Sequence, residues 1–104
     1  MAVSPQLKKR FRTIGHHLKP VVIVSENGLG EGVVLEINRA LEDHELIKIK
    51  LAVMDREDKA PLIEAIIEEC QVELIQSIGK VILVYRPAEK PKEKLSNVLR
   101  YQNI

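Results

Sequence analysis

Aromatic residues are scarce in this chain, whose 104 residues include one Phe, two Tyr and no Trp. Proteins that read single-stranded RNA on the face of a β-sheet stack its bases on exposed aromatic side chains of the central strands. Here Phe11 lies on a predicted core stripe, Tyr85 within a predicted strand and Tyr101 near the end of the chain. The sequence therefore disfavours base stacking on a sheet of aromatic residues.

The chain also has only one cysteine and no long apolar segment. The single Cys70 can form no internal disulfide, which indicates a reducing compartment, and it fits a small buried hydrophobe at the end of an apolar helical face. The longest apolar runs have about five residues, whereas a membrane-spanning helix needs about 20. The first residues do not follow the order of a secretion signal. We expect a cytoplasmic protein that does not associate with a membrane.

The composition is that of one small folded domain. Hydrophobic residues make up 45% of the chain, enough for a core, and charged residues make up 30%, enough for a solvated surface. We expect this domain at 1–87. Because little apolar periodicity follows Pro87, we expect a flexible basic tail at 88–104. We expect the protein to be a monomer.

Charge is separated along the chain, although the net charge is only +1. Residues 1–20 include five basic and no acidic residues, residues 21–85 six basic and thirteen acidic, and residues 86–104 five basic and two acidic. The local field, rather than the net charge, governs an encounter with a charged partner. The two basic ends are therefore compatible with a polyanionic partner.

The apolar spacing predicts seven elements in the order α-β-α-β-α-β-β. They are a helix that begins after Ser4 and ends at Gly15, a strand at 20–24, a helix at 31–43, a strand at 47–53, a helix at 58–70 and a hairpin of strands at 72–78 and 81–86. A right-handed crossover makes the first two strands parallel. With the hairpin they form a four-stranded mixed sheet packed with helices, which is an α/β fold.

Three local patterns predict finer details. The β-branched run at 21–24 is typical of a strand that is central or buried on both faces. In the second strand, Lys48 and Lys50 alternate with apolar residues and share one face. Asp58 is the predicted cap of the third helix, which would place Pro61 in the first turn of that helix.

A glycine-rich loop, Ser25-Glu26-Asn27-Gly28-Leu29-Gly30, joins the first strand to the second helix. Glycines let a backbone approach a ligand, and the next helix directs free amides and its positive dipole end to the loop, so an anion fits there. Such a loop is nevertheless most often only a turn. It has neither the G-x-G-x-x-G spacing nor the Walker lysine of nucleotide sites, and Glu26 and Glu31 oppose an anion unless nearby bases offset them.

Side chains for catalysis or metal binding form no recognisable pattern. His16 and His17 are adjacent and would point apart on a helix, and His44 lies among acidic residues. The acidic pair Glu68-Glu69 fits a solvated helix end. We therefore expect no catalytic residue, no metal, no cofactor and no small-molecule substrate, and we do not expect an enzyme.

Four blocks of this chain resemble one known family. They read LKPVVIVSENGLGEGVVLEI, HELIKIKLA, DREDK and IGKVILVYRP, and they span about residues 4–87. Together with the order of elements, they are similar to the stand-alone bacterial CRM domain of the YhbY type. The resemblance implies a fold like that of the C-terminal domain of a translation initiation factor. It also implies a loop like the GxxG loop of KH domains and RNA binding in precursors of the large ribosomal subunit.

The family's loop falls on 25–28, where a serine takes the place of its first glycine. Gly30 stands where relatives usually have threonine, while 27–29 and 31–33 match the family. Basic residues outside the loop are expected to complete the RNA surface. The predicted RNA contacts are Lys8, Lys9, Arg12, Lys19, Ser25, Glu26, Asn27, Gly28, Leu29, Gly30, Lys48, Lys50, Arg56, Lys80 and Arg86.

The leading hypothesis is a non-catalytic RNA-binding protein that holds ribosomal RNA during assembly or maturation of the large subunit. The alternative is an adaptor whose basic first helix and tail dock on acidic ribosomal or assembly proteins. A hydrolase or transferase ranks third because the sequence predicts no convergent pocket. The first two hypotheses differ in whether association with ribosomal precursors survives digestion of the RNA.

Overall fold

The computed structural model describes residues 3–52 and 55–102. The helices are α1 (Pro5–Gly15), α2 (Glu31–His44), α3 (Arg56–Cys70) and the short α4 (Asn97–Arg100), and the strands are β1 (Pro20–Val24), β2 (Leu46–Leu51), β3 (Glu73–Ile78) and β4 (Val81–Tyr85). The predicted order of seven elements is confirmed, and α4 adds an eighth. No helix in the described ranges is long and apolar enough to cross a membrane.

The four strands form one mixed sheet in the order β1-β2-β4-β3. β1 runs parallel to β2, as a crossover through α2 requires, and β4 is antiparallel to both β2 and β3. The predicted four-stranded mixed sheet is therefore confirmed.

The first strand lies at an edge of this sheet, so the expectation of a central strand was wrong. Its burial alternates: Val22 and Val24 are buried, whereas Val21 and Ile23 are exposed. The β-branched run predicted the strand correctly because such residues fit a pleated surface. That preference does not tell which face of the strand is covered.

One face of the sheet carries the main core, which α2 and α3 cover. Ile37 and Leu41 of α2 and Ile66 of α3 belong to one buried cluster with Ile49 of β2. Cys70 joins this cluster with 1% of its surface exposed, as predicted, and burial raises the pKa of its thiol. This core holds both ends of α2 in fixed positions relative to the sheet.

The other face of the sheet is covered only in part. Phe11 and Ile14 of α1 form a second buried cluster with Leu83 of β4. A Cβ added at Gly15 would lie 2.8 Å from the side chain of Leu83, so glycine permits the close approach of α1. Beyond α1, toward the end of β1, this face is open and Ile23 is 60% exposed.

The helix starts follow the sequence signal at α1 but not at α3. The Leu7 N–H donates to Ser4 Oγ at 3.1 Å, which caps α1 as predicted. Helix α3 begins after Asp55, earlier than the predicted cap Asp58, so Pro61 lies inside the helix rather than in its first turn. A proline there lacks the N–H that would donate to the carbonyl four residues earlier.

The segment at 88–102, for which the sequence predicts a flexible tail, lies against the end of the sheet where β2 begins. The Ala88 N–H donates to Glu45 Oε2 at 2.8 Å, and Ser96 Oγ donates to Glu45 Oε1 at 2.6 Å. Asn97 Nδ2 donates to the first carbonyl of β2 at 2.7 Å. Glu45 is 5% exposed, so this segment and the end of α2 share a buried polar contact.

Gln71, which follows α3, has the left-handed backbone angles φ 53° and ψ 48°. Glycine adopts this conformation without the steric cost of a Cβ. We expect Gln71→Gly to raise the free energy of unfolding by about 1 kcal/mol, as measured by urea denaturation. The matched control is Gln76→Gly within β3, where glycine is expected to lower the free energy of unfolding. A loss of stability at both positions would contradict the strain at Gln71.

Candidate functional site

The loop between β1 and α2 begins with a tight turn. The Gly28 N–H donates to the Ser25 carbonyl at 2.9 Å, and Gly28 has a φ of 79°, a region that favours glycine. Leu29 packs against the core, whereas Glu26 and Asn27 are exposed. The loop is therefore anchored at Leu29 and presents its first residues at the surface.

Helix α2 begins directly after this loop. Its first hydrogen bond runs from the Val34 N–H to the Gly30 carbonyl at 3.1 Å, so the amides at 31–33 have no partner within the helix. Gly30 occupies the cap position and makes no side-chain cap bond. A Cβ added at Gly30 or Gly32 would meet no atom within 4 Å. The free amides and the positive end of the helix dipole thus lie at an open corner.

The ends of other segments meet at the same corner. The Ala52 N–H donates to the Val24 carbonyl at 2.8 Å, and the Leu51 N–H donates to the Lys80 carbonyl at 2.6 Å. The loop, the end of β2 and the turn between β3 and β4 therefore lie at one end of the sheet, which we call the loop end. Lys50 and Lys80 are both exposed at the loop end.

Lys48 and Lys50 lie on the partly open face of the sheet, as their alternation predicts. Lys50 is paired in register with Ile23 of β1 and with Val81 of β4, and residues in register share a face. Ser25 follows two residues after Ile23, which is about 7 Å along a strand. The structure thus brings Lys50 close to the start of the loop.

Lys8 of α1 and Lys19 lie farther from the loop. Lys8 Nζ is 3.8 Å from Glu73 Oε1, and Glu73 begins β3 at the end of the sheet opposite the loop end. Six residues of strand separate these two ends by about 17 Å. Lys19 precedes β1 at the same opposite end, and both Lys9 and Arg12 are on α1, Lys9 being exposed and Arg12 half-buried.

Another predicted contact, Arg86, is not part of this corner. Arg86 Nη1 donates to Asn38 Oδ1 and to the Cys70 carbonyl, both at 2.8 Å, and so joins α2 to the end of α3. Because its guanidinium is occupied within the fold, we do not include Arg86 in the candidate site. Arg56 begins α3, but its side chain lies outside the described part of the structure.

The histidines contact the C-terminal segment or solvent. His17 stacks on Tyr101 with ring centroids 5.8 Å apart, and His44 Nδ1 lies 2.9 Å from the Leu95 carbonyl. His16 is exposed at the end of α1. Among the described residues, no three or more His, Cys, Asp and Glu side chains converge as metal ligands would.

A groove that the sequence does not predict lies between the last turn of α1 and the sheet. Its volume is about 260 Å³, and its lining residues are Gly15, His16, Pro20, Lys48, Gln76, Ile78, Val81 and Leu83. Ile78 is 63% exposed there. The only sequence signal was the alternation of the lysines in β2, which does not show how much of the face α1 leaves open.

The comparisons with known proteins agree with one another. The profile described as the CRS1 / YhbY (CRM) domain matches residues 3–86. The chain belongs to this family. It is 53% identical over 104 residues to the "Probable RNA-binding protein PA4753" of Pseudomonas aeruginosa, with 100% of both chains covered. It is 45% identical over 93 residues to the "RNA-binding protein" of Haemophilus influenzae, with 89% of this chain and 94% of that protein covered.

A solved structure shares the fold of this CRM protein. The solution structure of the hypothetical protein SAV1595 from Staphylococcus aureus superposes with a TM-score of 0.75 at 30% identity. The match covers 88% of this chain and 96% of that one. The resemblance to the CRM family and the predicted α/β architecture are therefore both confirmed.

Proposed function

We propose that this CRM protein binds RNA by gripping the ribose-phosphate backbone at the loop 25–30. The observation that carries the proposal is the meeting of this loop with Lys50 and Lys80 at one end of the sheet. The free amides of α2 can bind phosphate oxygens, and the two ammonium groups offset Glu26 and Glu31. The names of the relatives from P. aeruginosa and H. influenzae support RNA as the ligand.

The proposed activity is binding without catalysis. Around the loop, the described lysine side chains offer ammonium groups and the main chain offers free amides, both of which suit a phosphate chain. Cys70 is buried in the core with a raised thiol pKa, which disfavours a reactive thiolate. We propose residues 1–87 as the RNA-binding domain, with the segment 88–104 as an accessory to it.

We further propose that the RNA is ribosomal RNA in cytoplasmic precursors of the large ribosomal subunit. The four sequence blocks that resemble the YhbY type support this role. The adaptor alternative would use the basic residues of α1, of which Lys8 lies at the opposite end of the sheet. Sedimentation of cell extracts separates the two. Loss of co-migration with the precursors after RNase treatment supports RNA binding, whereas survival of co-migration favours the adaptor.

Replacement of Lys50 tests the phosphate contact directly. We expect Lys50→Ala to weaken binding to a short single-stranded RNA and to reduce the slope of log K against log salt by about 0.7, because one contact is lost. Fluorescence anisotropy titrations at several salt concentrations measure both quantities. Lys90→Ala, at an exposed lysine of the C-terminal segment, is the matched control and should leave both unchanged. Equal slopes for the wild type and Lys50→Ala would reject this contact.

A further inference from the structure

We propose that the uncovered sheet face beside the loop packs unpaired nucleobases of the bound RNA against aliphatic side chains. This subsite rests on the proposed RNA binding and extends it from the loop to the sheet. We call it the open face and define it by residues of all four strands. They are Ile23, Lys48, Lys50, Ile78 and Val81.

One row of the open face crosses the whole sheet. Ile23 of β1 lies beside Lys50 of β2, Lys50 is paired with Val81 of β4, and Val81 is paired with Ile78 of β3. Because neighbouring strands are about 4.8 Å apart, the row is about 14 Å long. Ile23 and Ile78 at its two ends are 60% and 63% exposed. The row thus offers an apolar strip that α1 does not cover.

The arrangement of apolar and basic groups suits a nucleotide chain. Single exposed apolar residues are ordinary on a protein surface, but here two isoleucines flank a lysine in one row, next to the 260 Å³ groove. A lysine can lay its methylene groups along such a row and keep its ammonium group at the surface. A base can then pack on the aliphatic groups while its phosphate meets Lys48 or Lys50.

The charge of the open face favours a polyanion over a second copy of this chain. None of the described residues that line the groove is acidic. Glu73, which is on this side of the sheet, lies at the end opposite the loop end, beside Lys8. A two-fold dimer through this face would bring Lys48 and Lys50 against the same lysines of the second copy, which is repulsive.

The open face also continues from the loop. Ile23 precedes Ser25 by two residues, so RNA whose backbone is held at the loop reaches the row within about 7 Å. The contact is aliphatic packing, because Tyr85, the aromatic residue that β4 places on this face, is paired with Glu73 at the end opposite the loop end. Phe11 is 1% exposed and its ring centroid lies 4.6 Å from that of Tyr85, under α1.

The test compares two probes: a short mixed-sequence single-stranded RNA and an abasic RNA of the same length. We expect wild-type protein to bind the RNA more tightly than the abasic chain. Ile23→Ser and Ile78→Ser should each weaken binding of the RNA about five- to tenfold, without changing the salt slope, and should leave binding of the abasic chain unchanged. The matched control is Leu95→Ser, at an exposed leucine of the opposite end. Thermal unfolding verifies that each variant is folded.

Five other outcomes would overturn the open face as a base site. Equal wild-type affinity for both probes, or a loss of affinity for the abasic chain in Ile23→Ser, would show backbone contacts only. Unchanged RNA affinity in both isoleucine variants would leave the loop as the sole site, with the proposed function intact. If the wild type is a dimer and Ile23→Ser is a monomer, the open face is an interface between two copies of this chain. If the wild type binds neither probe, the proposed function fails as well.

Discussion

Gly28→Asp is expected to lower the affinity for single-stranded RNA about 30-fold while leaving the protein folded. The carboxylate would lie in the turn of the loop, where the proposed phosphate chain approaches, and like charges repel. The fold should tolerate the change because aspartate is among the residues that accept a positive φ, here 79°, and a Cβ at this position meets no atom within 4 Å. Anisotropy titrations measure the affinity, and thermal unfolding measures the stability.

Gly28→Asn is the matched control for this experiment. Asparagine has nearly the shape of aspartate and also accepts a positive φ, but it carries no charge. We expect it to weaken RNA binding much less than aspartate does. An unchanged affinity in Gly28→Asp would remove the loop from the interface. A loss of melting temperature that parallels the loss of affinity would instead indicate that the loop is only a structural turn.

Glu45→Ala is expected to lower the free energy of unfolding by about 3 kcal/mol. The substitution removes two buried acceptors, which hold the Ala88 N–H and the Ser96 hydroxyl. Glu45 also has a φ of 61°, an unusual value for a residue with a side chain, so alanine keeps the backbone strain while losing the bonds that stabilise it. In a domain of this size the melting temperature should fall by about 15 °C, as measured by calorimetry.

Glu42→Ala serves as the control for charge, because Glu42 is a half-buried glutamate one turn earlier in α2. It should change the free energy of unfolding by less than about 0.5 kcal/mol. Hydrogen exchange supplies a local measurement, since only Glu45→Ala should expose the amides of Ala88 and of α4. If these amides already exchange freely in the wild type, the flexible tail that the sequence predicts is the better description.

Much of the fold could be predicted from the sequence because its local signals agree with the final packing. The alternation around Lys48 and Lys50 placed both lysines on one face of β2. Ser4 marked the start of α1, and Gly79 with Lys80 marked a hairpin turn; Gly79 has a φ of 57°. Each of these signals involves residues within a few positions of one another, so a short segment of the sequence is enough to predict the structure it forms.

The remaining features depend on contacts between distant segments. The edge position of β1 follows from the order in which strands pair, and β-branched residues at 21–24 fit a central or an edge strand equally well. Arg86 has the charge of an RNA contact, yet its guanidinium binds Asn38, 48 positions earlier. The buried Glu45 holds Ser96 across 51 positions. No spacing rule predicts such partners. For the same reason, the sequence could not show which of the basic residues predicted to contact RNA lie beside the loop.

The packing of the C-terminal segment bears on how this protein can be studied on a solid support. Arg10 Nη2 donates to the Gln102 carbonyl at 2.5 Å, which keeps the last described turn beside α1 and away from the residues at 25–30. An affinity handle or fluorophore attached to the exposed side chain of Gln102 would therefore lie on the far side of the molecule. Immobilised in that orientation, the protein would present its glycine-rich corner to the solution, free of the matrix.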